Sequence, residues 1–116
     1  MPSERPAQRI RDILAAIARI RSYIADIGGV DALMRNEYVH RDGVERQLLI
    51  VSEAASKLRG QVDALEPNIN WGGVRGIGDQ IRHNYDGIND DIIRQVLLTD
   101  LDELAVACER LCLKFS

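Results

Sequence analysis

Aromatic side chains are scarce in this chain, with one Trp, three Tyr and one Phe making up 4% of 116 residues. Hydrophobic residues still account for 46%, so the core has to be built from Ile, Leu, Val and Ala. A chain of this length suits a single domain near the small end of the size range, expected to span residues 1–116. No apolar run reaches the ~18 residues of a membrane span, and no charged n-region precedes an apolar h-region. A soluble, cytoplasmic protein with no membrane partner is therefore expected. Excess basic charge is also missing. The formal net charge of −3 excludes a generic nucleic-acid coat, whose footprint is strongly basic, but leaves room for a local patch that handles one phosphate. Cysteine is limited to Cys108 and Cys112, four apart on what reads as one helix. With no second Cys or His pair at ligand spacing, they read as small reduced core residues, and no metal or other cofactor is expected. No segment sustains a strand-like alternation of period two.

Helical periodicity is what the chain does have. Ile10, Ile13, Ile17, Ile20, Ile24 and Ile27 follow a 3-4-3-4-3 spacing. This predicts a coiled-coil-like seam on a helix from about residue 3 to residue 27, ended by Gly28 and Gly29. Residues 30–35 read as a short helical turn or loop, followed by a polar stretch to about residue 42 in which His40 is expected in a loop. Val44, Leu48, Val51, Ala55 and Leu58 then mark a second helix, weakened at Gly60 and ended by Pro67. Trp71, expected as a core or interface anchor, stands beside Gly72, Gly73, Gly76 and Gly78. Each Gly in a helix interior costs about 0.8–1 kcal/mol relative to Ala. Either the helix starts irregularly there or a close backbone approach compensates, and Gly72 and Gly76 share one face. After the start signal at Asn89, Asp90 and Asp91, Ile93, Leu97, Leu101, Leu104, Cys108, Leu111 and Phe115 trace a stripe that Thr99 and Asp100 either break or kink. The expected architecture is all-α, a four-to-five-helix bundle with an up-down core. The apolar stripes are broader than a simple seam, and a symmetric homodimer is expected to cover them.

Residues 75–89, RGIGDQIRHNYDGIN, hold the candidate chemistry. Projected as a helix, Val74, Ile77, Ile81 and Tyr85 fall on one side. Arg75, Asp79, Arg82, His83 and Asp86 fall on the other, within a stripe roughly 100° wide. Metal-independent cleavage of RNA needs a base for the ribose 2′-OH, a cation for the charge on the pentavalent phosphorus, and an acid for the leaving 5′-oxygen. A His titrates near neutrality and suits the proton transfers; a planar Arg fork suits the phosphate. His83 with Arg82 or Arg75 supplies these types. Asp79 either orients His83 or an Arg, or is a plain partner one turn from Arg75. The alternative from spacing alone is a solvated salt-bridge stripe with an incidental His.

Three stretches carry a family resemblance: Glu53-Ala54-Ala55, then Pro67-Asn68-Ile69-Asn70-Trp71, then Arg82-His83-Asn84-Tyr85-Asp86-Gly87-Ile88-Asn89. In this order they resemble the HepT-like branch of the HEPN superfamily, small all-α dimeric proteins that are often the ribonuclease toxin of a toxin–antitoxin pair. The resemblance covers residues 47–101 directly, and the His83–Tyr85 step is its most specific part. It implies an endoribonuclease with His83 as the catalytic residue, products ending in a 2′,3′-cyclic phosphate, and a cognate nucleotidyltransferase antitoxin as partner. It further implies Tyr85 as the acceptor of AMP from that partner, which would silence the nuclease. Glu53 matches a Glu position of the family and is expected to hold Arg46 or a site residue. The family pattern also places an Arg ahead of the His with four to six residues between them, where this chain has Gly78, Ile77 and Gly76. Either Arg75 or Arg82 substitutes for it, or the chain is an inactive helical module that binds and regulates a nucleotidyltransferase or a nucleotide.

Overall fold

The computed structural model describes residues 4–36, 38–83 and 90–115. Helix α1 runs over Pro6–Ile27, α2 over Val30–Asn36, α3 over Tyr38–Lys57 and α4 over Trp71–His83. Helix α5 (Asp90–Gln95), a π-helical turn (Val96–Asp100) and α6 (Leu101–Phe115) continue one another without a break. The described residues are helix and turn with no strand, an all-α bundle as expected. None of their helices is long and apolar enough to cross a membrane.

The isoleucine seam lies in the middle of this arrangement. Pro6 opens α1, where the missing N–H is no loss. Ile10, Ile13, Ile17 and Ile20 are buried, and α1 packs against both α3 and α6. The helix stops where the Gly pair was expected to stop it. Gly28 takes a left-handed conformation (φ 94°), and the Gly28 and Gly29 N–H groups both bond back to Ile24 O.

Helix α3 begins earlier than the apolar pattern implied, so residues 38–42 are helical and His40 is not a loop residue. Its first turns are held by polar contacts between elements. His40 Nε2 lies 2.7 Å from Asp26 Oδ2, and Arg41 Nη2 lies 2.6 Å from Asp90 Oδ1. Gly43 lets the Tyr23 ring of α1 rest on the α3 backbone; a Cβ there would fall 2.7 Å from Tyr23 Cε1.

Helix α4 packs against α3 and starts regularly despite its glycines. Asn70 Oδ1 accepts the Gly73 N–H at 3.0 Å, capping the first turn. The close approach that the glycines suggested occurs at Gly78, where a Cβ would stand 2.6 Å from Ser52 Oγ and 3.1 Å from Ser52 Cβ. The Ser52 hydroxyl donates to Arg75 O at 2.6 Å and accepts the Gly78 N–H at 3.1 Å. Both helices are thereby joined through one buried hydroxyl. Thr99 and Asp100 do not break the last stripe; they belong to the π turn, in which Leu101 N–H bonds Val96 O. Ile93, Leu97 and Leu101 are spaced 4-4, which drifts off an α-helical face. The wider turn keeps Ile93, Val96, Leu97 and Leu101 buried together.

Replacing Gly78 with Ala is expected to lower stability by about 1–3 kcal/mol, because the new methyl meets a hydrogen-bonded Ser52 that cannot swing away. A thermal melt checks this; an unchanged or raised Tm would show that the α3–α4 contact has slack.

Candidate active site

The contacts between α3 and α4 run in opposite directions along the two helices. Arg75 meets Ala55 and Gly78 meets Ser52, while the long Arg82 side chain reaches back along α4 to Glu53. This antiparallel seam carries an open groove of about 730 Å³. Ser52, Glu53, Ser56, Lys57 and Arg59 form one wall, and Gly72, Arg75, Gly76, Asp79 and Arg82 form the other.

The two candidate arginines have different environments. Arg75 is turned into the seam, with its side chain only 8% exposed. Its Nε donates to Ala55 O at 2.9 Å, and Nη1 and Nη2 each donate to the Asp63 carboxylate at 2.8 Å. The guanidinium also lies 5.8 Å from the centroid of the Trp71 ring, a cation–π distance. Trp71 is buried, and its indole N–H donates to Glu66 O at 3.0 Å. The Arg75 hydrogen bonds hold the Asp63 carboxyl down at about 2, well below its ordinary 3.8.

Arg82 is 44% exposed and only loosely held. Nη2 lies 3.4 Å from Glu53 Oε1, and Nη1 lies 3.6 Å from Asp79 Oδ1. These separations are longer than good charged hydrogen bonds, and exposed pairs of this kind contribute little to stability. The same Nη1 lies 3.4 Å from where a Cβ on residue 78 would stand. The Arg82 head therefore covers the bare backbone of Gly78.

The predicted polar stripe is thus divided. Glu53, Asp79 and Arg82 form one cluster, while Arg75 stands at the other end of the groove with its fork occupied. Glu53 meets Arg82 and not Arg46, and Asp79 meets Arg82 and not Arg75. His83 is the last residue of α4, but its side chain, and Tyr85 and Asp86 entirely, lie outside the described residues.

Sequence reasoning passed over Ser52, Lys57, Arg59 and Asp63. Ser52 carried a signal, as a polar residue beside Val51 on the apolar stripe of α3. Lys57 falls in the last turn of α3, a common place for a cation that complements the helix dipole. Asp63 lies in the turns after α3, where its Oδ1 accepts the Gly60 N–H at 3.3 Å, and nothing local marks it as a partner of Arg75. Cys108 is buried, which pushes its thiol up to about 12 and leaves it unreactive. Among the described residues no group of His, Cys, Asp and Glu side chains is placed to hold a metal ion.

Fold and groove together define a small all-α protein with a cationic cleft between two antiparallel helices. The sequence model of the family described as Ribonuclease HepT-like matches residues 13–111, and the chain belongs to that family. The match takes in both walls of the groove. No solved structure matches the chain significantly.

Because the Asp63 carboxyl is held below its unfolded value, its pairing with Arg75 stabilises the fold fully above pH 3.8, and this contribution is lost as pH falls through about 2. Asp63→Asn is expected to cost about 1–2 kcal/mol at neutral pH, the partial exposure of Asp63 screening the pair. Urea titrations at several pH values should show the gap between wild type and variant closing in acid; a gap independent of pH would assign the loss to something other than the charge.

Proposed function

We propose that the chain is a metal-independent endoribonuclease, the toxin of a toxin–antitoxin pair, with His83 handling protons and Arg82 the scissile phosphate. The supporting observation is the placement of the Arg82 guanidinium over Gly78. Gly78 is one of the positions ahead of His83 at which the family pattern has an Arg, so Arg82 brings a guanidinium back to that place from the residue adjoining His83. Arg75 is committed to Asp63 and Ala55, which leaves Arg82 as the cation at the His83 end of the groove. Glu53 and Asp79 flank it.

In the proposed reaction His83 takes the proton from the ribose 2′-OH, and the 2′-oxygen attacks phosphorus. Arg82 stabilises the extra negative charge on the pentavalent phosphorus. The P–O5′ bond then breaks as the imidazolium formed on His83 gives its proton to the leaving 5′-oxygen, so that the products are a 2′,3′-cyclic phosphate and a free 5′-hydroxyl and His83 is neutral again. The chain is proposed to act as a homodimer, with exposed Leu98, Val106 and Leu113 as apolar surface available for burial. Its proposed antitoxin is a nucleotidyltransferase that adds AMP to Tyr85, placing negative charge two residues from His83 and repelling RNA phosphates.

A second reading, an inactive module that binds and regulates a nucleotidyltransferase, is favoured by the two carboxylates that share the single Arg82 guanidinium. Purified protein is expected to cleave single-stranded RNA in EDTA with cyclic-phosphate ends. His83→Ala should abolish cleavage, and Arg82→Ala should lower kcat by about 10²–10³. Equal cleavage by His83→Ala would remove the catalytic assignment. An inert wild type that still forms a tight complex with the nucleotidyltransferase would establish the second reading.

A further inference from the structure

The end of the groove away from Arg82 has features that the proposed chemistry does not use. Of the four glycines of α4, two are closely approached by other side chains. Gly78 makes room for Ser52, and a Cβ on Gly73 would fall 2.6 Å from Asn70 Nδ2. The other two are not. A Cβ on Gly72 would meet nothing closer than Asn70 Oδ1 at 3.7 Å, a Cβ on Gly76 would meet nothing within 4 Å, and neither residue has a positive φ. Alanine at Gly76 would suit the helix better, so the packing of the chain alone gives no reason for this glycine. Both Gly72 and Gly76 line the groove.

The facing wall carries Lys57 and Arg59, both exposed. Among the described residues neither has a carboxylate partner, whereas Arg21, Arg41, Arg94 and Arg110 each meet one. Lys57 stands four residues beyond Glu53 on α3, a rise of roughly 6 Å, and Glu53 marks the level of Arg82. The groove therefore presents one cation at the His83 end, then two unpaired cations about one helical turn further along. Between them the α4 backbone is bare. A dipole-complementing role at the end of α3 would account for Lys57, but not for the absence of a side chain at Gly76.

We propose that Lys57 and Arg59 form a second phosphate subsite for single-stranded RNA, in which the phosphate next to the scissile one is held while the sugar–phosphate backbone lies against Gly72 and Gly76. The Ser56 hydroxyl, on the same wall, is available as a further donor. The subsite rests on the ribonuclease reading for its substrate class and extends it from one phosphate to a tracked strand. It also gives the strand a direction along the groove, from Arg82 toward Arg59.

Binding of a short single-stranded 2′-O-methyl oligoribonucleotide tests this, since the blocked 2′-oxygen permits binding without cleavage. Fluorescence anisotropy over a range of salt concentrations is expected to show the Lys57→Gln/Arg59→Gln double variant binding at least about tenfold more weakly than wild type. Its dependence of log K on log salt should be shallower by about 0.7–1.4, the loss of one or two phosphate contacts on a single strand. Gly76→Ala should raise Tm by roughly 2–6 °C and weaken binding at least about fivefold, an opposition that a purely structural glycine would not produce. Wild-type affinity and salt slope in the double variant, or wild-type affinity in Gly76→Ala, would overturn the subsite, as would a wild type that does not bind the oligonucleotide at low salt. If the wild type cleaves RNA but the variants bind as it does, the subsite falls and the ribonuclease reading stands. If the wild type binds through Lys57 and Arg59 but cleaves nothing, the ribonuclease reading falls and the subsite stands.

Discussion

The bidentate pair between Arg75 and Asp63 joins three pieces of chain at one side chain. Arg75 belongs to α4, Asp63 to the turns after α3, and the carbonyl that accepts the third hydrogen bond to the last turns of α3. Trp71, at the start of α4, closes the arrangement by lying under the guanidinium. A guanidinium so little exposed would be destabilising without partners. Here every nitrogen has an acceptor, and Asp63 keeps part of its hydration. One turn along, Ser52 bridges the two helices through Arg75 O and Gly78 N–H. Clamp and hydroxyl together set the separation of α3 and α4, and with it the width of the groove and the position of Arg82.

The parts of the fold visible in the sequence are those dictated by apolar period. Six isoleucines at regular spacing announce α1, and the glycine pair that ends it does so by a conformation few other residues adopt. The first turns of α3 were hidden because polar contacts hold them: His40 to Asp26 and Arg41 to Asp90 cross between elements distant in sequence. The same limit applies to the candidate site. A helical projection places Arg75, Asp79 and Arg82 on one face, which is correct for the backbone. A long side chain then goes where its partners are, and the carboxylate that draws Arg75 away lies in a turn with no periodic signal. Helix α4 could be read from the sequence, but not which of its arginines has its fork occupied by a partner outside the groove.

The chain carries a net negative charge, yet the groove between α3 and α4 presents four cations against two carboxylates. One of the four, Arg75, is tied to a carboxylate outside the groove. Overall charge governs long-range attraction and solubility, whereas a phosphate inside a cleft responds to the groups within a Debye length. A small cationic seam can therefore act on a single anionic group although the chain as a whole is acidic.

Trp71 is the only tryptophan of the chain, and it sits where α4 begins, under Arg75 and hydrogen-bonded to Glu66 O. The protein therefore contains one indole fluorophore, which can be excited apart from the three tyrosines and reports on one joint. A cation over the indole face and a fixed N–H acceptor both shape its emission. Loosening of α4 from α3 changes that environment even while α1 and α6 remain packed together. Emission and far-ultraviolet dichroism thus follow different parts of the molecule, the first the seam that holds the groove and the second the bundle as a whole.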